Sequence, residues 1–154
     1  FKNKKFKLLL VGNFEHELDP LKKDVIDEIN SNPNILFVGY QKDIRPYLAI
    51  SNCFVFPSYR EGFPNVILQA GAMNVPCIVS NINGCNEIIK NRINGILISR
   101  KDVGELKEAM LKISKDDDLR NKLSKNSRQI ILKNFDQKSI WESLRNEYKI
   151  LSNV

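Results

Sequence analysis

Apolar residues fall along this chain in short unbroken runs, separated by longer stretches with helical periodicity. Phe6-Lys7-Leu8-Leu9-Leu10-Val11, stopped by Gly12, reads as a buried strand. Asp19-Pro20 then sets an N-cap and a first-turn proline for a helix reaching about Asn30. Its apolar positions Leu21, Val25, Ile26 and Ile29 share one helical face, and Ser31-Asn32-Pro33-Asn34 breaks it. Ile35-Leu36-Phe37-Val38 predicts a second strand ended by Gly39, and residues 45–50 a short helix. Cys53-Phe54-Val55-Phe56 predicts a third strand stopped by Pro57, with a helix over about 64–73 and a fourth strand over 77–80. Asn83-Gly84 marks a turn, 86–90 a short helix with Asn86 as its cap, Asn94-Gly95 another turn, and 96–98 a fifth strand. Beyond it the pattern is helical throughout, over 103–114, 119–133 and 138–151.

Strands separated by helices imply right-handed crossovers and a parallel sheet. Their continuous rather than alternating apolarity agrees with burial on both faces. The expected fold class is α/β, a doubly wound Rossmann-like parallel sheet with a C-terminal helical tail. Such sheets bind ligands at the carboxyl ends of their strands, so function is sought in the loops after Val11, Val38, Phe56 and Ser80. The tail reads as packing and support, with Trp141, Leu144 and Tyr148 forming a stripe at helical spacing.

Composition narrows the picture. A length of 154 residues suits one domain, and 42% hydrophobic with 27% charged residues is the balance of a globular one. No apolar run approaches the ~18 residues of a membrane span. The formal net charge is +6, yet only Lys2, Lys4, Lys5 and Lys7 cluster, so the basic residues read as a solvated face and no nucleic-acid partner is expected. Three cysteines without C-x-x-C spacing suit a reducing cytosol and give no metal site. Cys53 and Cys77 lie in apolar runs as small buried hydrophobes, and Cys85, in a loop, is the candidate for a reactive thiol. The chain opens on Phe1 rather than Met, which suggests a piece of a longer protein.

The stretch richest in chemistry is Pro57-Ser58-Tyr59-Arg60-Glu61-Gly62-Phe63-Pro64-Asn65-Val66-Ile67-Leu68-Gln69-Ala70. It passes from a strand end through a glycine-containing loop into a helix, which aims free N–H groups and the positive end of a helix dipole at one point. Phosphate is the usual guest of such a point. Gly62 would let a ligand approach the backbone closely. The helix is apolar nearly all round apart from Asn65 and Gln69, four residues apart on one edge. Gln69 leans toward the helix N-terminus and so toward Glu61. Two readings stay open at this level: a ligand site, or a Glu61 that caps the helix beside a Gln69 that satisfies a backbone group.

Ser58-x-x-Glu61-Gly62-Phe63-Pro64-Asn65-Val66, followed by Gln69-Ala70-x-Ala72-x-x-Val75-Pro76-Cys77-Ile78-Val79-Ser80, resembles the signature of the group 1 (family 4) glycosyltransferases. Phe37-Val38-Gly39-Tyr40, Gly84, Glu87 and Asn94-Gly95 fit the same pattern in the same order, so the likeness covers about 8–132. Val11-Gly12-Asn13-Phe14-Glu15 resembles the bacterial capsule and lipopolysaccharide branch. The resemblance implies one half of a GT-B enzyme, the nucleotide-sugar-binding half, over residues 1–154 as a single domain fragment. The acceptor domain and the basic segment that clamps the donor diphosphate would lie outside it. Glu61 would contact the donor sugar near the reacting carbon as the catalytic residue. Gly12 and Tyr40 would line the donor site, Tyr40 beside the base, while Gly62, Phe63, Pro64, Asn65 and Val66 would hold diphosphate and sugar. Pro64 supplies no N–H to that loop. The family carries a second glutamate eight positions after the first, where this chain has Gln69, which would hold the donor ribose hydroxyls.

The implied activity is retaining hexosyl transfer from a nucleotide-diphosphate sugar, with uridine the expected base, to a saccharide or lipid-linked saccharide. Neither a metal nor another cofactor is expected. The expected place is the cytoplasm, with peripheral attachment of the whole enzyme to the inner face of the bacterial plasma membrane. A non-catalytic nucleotide-sugar-binding module and another GT-B enzyme, such as a nucleotide-sugar epimerase or a phosphorylase, are the alternatives. His16, the single histidine, sits on the ligand edge between Glu15 and Glu17 and reads chiefly as a surface residue. Glu87 reads as a structural partner of its short helix.

Overall fold

The computed structural model describes residues 6–15, 17 and 20–152. The chain packs as two compact units, Phe1–Tyr47 and Leu48–Val154. In the first, β1 (Leu8–Leu10) pairs in parallel with β2 (Ile35–Phe37), with α1 (Lys23–Ser31) between them in sequence. α1 starts later than the proline signal implies, with Lys22 at its N-cap and no side-chain cap, while Pro20 lies ahead of the helix. Asp19, the expected cap, lies outside the described residues, as do His16, Lys2, Lys4 and Lys5. Phe14 stacks on Phe37 with ring centroids 4.3 Å apart, tying the loop after β1 to β2.

α2 (Arg45–Ala49) runs across the boundary into the second unit, where β3 (Phe54–Phe56), β4 (Cys77–Ser80) and β5 (Gly95–Ile98) form a parallel sheet in that order. α3 (Asn65–Ala72) and α4 (Cys85–Ile88) are the crossovers, and α5 (Val103–Lys115), α6 (Asp117–Asn134) and α7 (Gln137–Ser152) make the tail. The α/β class, the parallel pairing and the helical tail are as expected. The ladders, however, are two: β1 pairs with β2 and β3 with β4, and the described residues show no bond joining the two sets.

The core of the second unit lies on β4, all four residues of which are buried. Ile78 packs with Ile98, Ala109, Ile113 and Leu123, joined by Val55, Ile96, Leu106 and Met110 at the margin. The tail helices are started by carboxylates: Asp102 Oδ1 accepts from the Glu105 N–H and Asp116 Oδ1 from the Leu119 N–H, both at 2.8 Å. α6 also secures α3. Gly71 meets Ile131 and Ser127 of α6, where an added Cβ would come within 2.8 Å of Ile131, and Ser124 and Arg128 donate to the carbonyls of Asn74 and Ala72 at the carboxyl end of α3. α7, by contrast, has no buried residue, and its Trp141, Leu144 and Tyr148 stripe is exposed.

Buried Asn94 sets the entry to β5, donating to the Ile88 carbonyl at 3.0 Å and accepting from the Lys90 N–H at 2.7 Å. The next residue, Gly95, sits so close to β4 that a Cβ would lie 2.6 Å from the Cys77 carbonyl oxygen and 2.8 Å from Ile89. Backbone cannot yield as a side-chain tip can, so Gly95→Ala forces the two strands apart. The expected cost is about 1–3 kcal/mol, read as a lower urea midpoint at unchanged m-value; an unaltered midpoint would show that the strand pair adapts freely.

Candidate functional site

Parallel registry places the loops after β3, β4 and β5 at one edge of the sheet. The first of them carries Ser58, whose hydroxyl donates to Glu61 Oε1 at 2.6 Å. Glu61 is thereby turned away from capping. The N-cap position of α3 is Pro64, which has no side-chain cap, and the Ile67 N–H returns to the Pro64 carbonyl at 3.1 Å. The N–H groups of Asn65 and Val66 have no acceptor among the described residues, so the first turn of α3 keeps its donors for a ligand. An anion placed there gains ~0.3–1 kcal/mol from the helix dipole.

The second loop presses on the first. Gly84 has φ +78°, and a Cβ there would lie 2.1 Å from the Gly62 carbonyl oxygen and 3.1 Å from Pro64 Cδ. Gly84, not Asn86, is the N-cap of α4; its N–H donates to Glu87 Oε1 at 3.2 Å, while Asn86 Nδ2 donates to Asn81 Oδ1 at 3.0 Å. The structural role expected for Glu87 is therefore the one observed. Gly62 itself faces open space, with nothing within 4 Å of an added Cβ. Phe63 is half-exposed with its ring 5.9 Å from that of Phe135, and Pro64 is buried, so its ring packs while Gly62, Phe63 and Asn65 face outward. Gln69 and Asn65 are both exposed, and neither side chain makes a hydrogen bond among the described residues. At the third loop Lys101 Nζ stands 5.1 Å from the centre of the Tyr59 ring, a cation–π contact.

Two residues of the expected site, Gly12 and Tyr40, belong to the first unit, where the segments that carry them are hydrogen-bonded. Gly12 (φ +140°) donates its N–H to the carbonyl of Gly39 (φ +66°) at 2.9 Å. The Tyr40 N–H donates to Asn13 Oδ1 at 3.1 Å, leaving the ring 69% exposed. Asn13 has no role in the sequence reading; an asparagine directly after a strand-ending glycine is the signal that could have found it. Ser58 was likewise quoted without a role. This unit also holds a cavity of about 660 Å³ lined mainly by apolar groups such as Leu8, Leu10, Leu21, Val25 and Ile29. Its lining gives it the chemistry of thinly covered core, with only Gly12 and Asn13 of the site region at its rim.

Cys85 departs from expectation. It opens α4 rather than a loop and is fully buried, and burial with the nearby charge of Glu61 pushes its thiol up to about 11. Burial pushes the Cys53 thiol up to about 12 and the Cys77 thiol higher still. None is a reactive thiolate at neutral pH. Among the described residues no three His, Cys, Asp or Glu side chains gather as a metal site, and no helix is long and apolar enough to cross a membrane.

The sequence profile described as "Glycosyl transferases group 1" matches residues 1–130. The chain belongs to the group 1 glycosyltransferases. It is 38% identical over 82% of its length to the UDP-Gal:alpha-D-GlcNAc-diphosphoundecaprenol alpha-1,3-galactosyltransferase of Escherichia coli, covering 32% of that protein. To the capsular polysaccharide biosynthesis glycosyltransferase CapM of Staphylococcus aureus it is 32% identical over 92% of its length, covering 37% of that protein. The chain thus spans about a third of these relatives. HepE of Anabaena, solved in complex with UDP-glucose, superposes with a TM-score of 0.82 at 22% identity, over 96% of this chain and 41% of that one. That likeness shows a shared fold.

Two outcomes follow from this geometry. Gly84→Ala meets a carbonyl oxygen and an unfavourable positive φ together, so a loss of about 1–3 kcal/mol is expected, with amide chemical-shift changes concentrated over residues 58–66. Changes spread evenly over the second unit would show that Gly84 does not brace that loop. Because the three thiols titrate higher folded than unfolded, their contribution to stability is full below the ordinary cysteine value near 9 and is lost as pH rises from there through the raised folded values, about 11 for Cys85, about 12 for Cys53 and higher still for Cys77. Iodoacetamide at pH 8 is accordingly expected to leave Cys77 and Cys85 unmodified in the native protein by mass spectrometry; rapid labelling of Cys85 would contradict its burial.

Proposed function

We propose that this chain is the donor-binding half of a retaining hexosyltransferase, which moves a sugar from a UDP-sugar to a saccharide or lipid-linked saccharide in bacterial surface-polysaccharide synthesis. The observation that carries the reading is the pairing of a held carboxylate, Glu61, with an uncapped helix start at Asn65 and Val66. The diphosphate would sit at those two N–H groups and at Gly62, where no Cβ obstructs it. Glu61 Oε2, which has no partner among the described residues, would accept from a hydroxyl of the donor sugar. Charge building on the leaving diphosphate would be met by fixed amide dipoles, so the reading needs no metal and no other cofactor. That diphosphate would take the acceptor proton on the same face as the new glycosidic bond forms.

Gln69 would meet the ribose with one acceptor and one donor where a carboxylate accepts from two hydroxyls. Uridine as the base rests on the printed donor of the E. coli relative, a UDP-sugar, and on the UDP-glucose held by HepE. The acceptor, and attachment to the inner face of the plasma membrane from the cytoplasm, fall to the rest of the protein; the diphosphoundecaprenol in the relative's name is what supports a lipid-linked acceptor.

A ligand-observed NMR titration with UDP, GDP, ADP and UDP-glucose tests the binding half. The expected result is saturation transfer from the uridine ligands, weakened by Asn65→Pro and strengthened several-fold by Gln69→Glu. For catalysis, Glu61→Ala in the full-length protein should lower sugar transfer by about 10²-fold, equivalent to ~2.7 kcal/mol of transition-state stabilisation. Undiminished transfer would remove the catalytic role of Glu61, and a wild-type protein that binds the donor without transferring sugar would leave only the non-catalytic binding module.

A further inference from the structure

The hydroxyl of Ser58 has a single proton and two acceptors in reach, the Arg60 carbonyl at 3.4 Å and Glu61 Oε1 at 2.6 Å. The shorter bond wins by a wide margin, and 2.6 Å is the length of an O–H donor on an ionised carboxylate. Ser58 is placed for it by the stop of β3 at Pro57, and the three-residue step from Ser58 to Glu61 folds the loop back on itself. On its other side the loop rests against Gly84. A glutamate has three free torsions, and an unheld carboxylate at an open site would sample many positions. Here one oxygen is tied down and the other is left for a ligand.

We propose that Ser58 is a positioning residue, holding the Glu61 carboxylate in the one placement from which Oε2 meets the donor sugar. The proposal rests on the reading of Glu61 given above. Because the hydrogen bond is made within one short loop, between Ser58 and Glu61, the ordering of Glu61 comes from the chain itself and not from the donor. Its effect therefore falls on the reacting geometry, where misplacement by an ångström is costly, more than on donor affinity, which the backbone N–H groups of α3 supply.

The test uses the full-length protein with three variants, Ser58→Ala, Ser58→Thr and Glu61→Ala, each followed by steady-state kinetics and thermal unfolding. Ser58→Ala is expected to lower kcat by about 10- to 100-fold, with the donor KM and the melting temperature close to wild type, and Ser58→Thr, which keeps the hydroxyl, to recover most of the loss. A Ser58→Ala enzyme with wild-type kcat beside an inactive Glu61→Ala enzyme overturns the positioning role and leaves the reading of Glu61 standing. A raised KM at unchanged kcat, or a fall in activity matched by a fall in melting temperature, also overturns it. Wild-type transfer by Glu61→Ala removes the reading of Glu61 and this proposal with it.

Discussion

A single close approach governs the site: the carbonyl of Gly62 against the α-carbon of Gly84. The space where a Cβ would stand is already occupied by that oxygen, so residue 84 cannot carry a side chain without displacing the loop that bears Glu61. The approach is possible because β3 and β4 run parallel and in register, Phe54 opposite Cys77 and Phe56 opposite Val79. Parallel strands deliver their following loops to the same edge. With one loop braced by the other, the short path from Ser58 to Glu61 has little freedom, and a hydroxyl–carboxylate bond is enough to complete it.

The same edge gains its electrostatics from α3, whose orientation is secured at the far end. Gly71 lets α6 lie close, and Ser124 and Arg128 satisfy carbonyls at the carboxyl end of α3. With that negative end occupied by a cation and a hydroxyl, the unsatisfied end is the one that opens beside Glu61. Buried thiols at Cys77 and Cys85 add no charge of their own, since burial and, for Cys85, the carboxylate itself keep them protonated. A donor diphosphate would therefore meet oriented dipoles on one side and a held anion on the other.

Much of this was legible in order along the chain. Continuous apolar runs ending in Gly12, Gly39 and Pro57 located three of the strands, and the carboxylates at Asp102 and Asp116 lie where helix starts were expected to within two residues. Glu61, Gly62, Asn65 and Gln69 stood out because their types suit anion and hydroxyl binding at a strand–loop–helix passage. Asn86 misled as a cap, since a glycine with positive φ can take that place and let a glutamate two residues after the first helical one close the turn. Cys85 misled for a related reason: neighbours in sequence make it look like loop, whereas its burial is made by segments far away.

The sequence by itself determined the α/β class, the succession of elements, the family and the residue types at the strand ends. These depend on local periodicity and on short-range stereochemistry, which a linear pattern records. Only the tertiary structure decided that Ser58, rather than a helix N–H, takes the Glu61 carboxylate, that Gly84 is the brace, and that Asn13 carries Tyr40. Each of those choices is a competition among partners brought together by folding, and hydrogen bonds and close contacts are settled by distance in space.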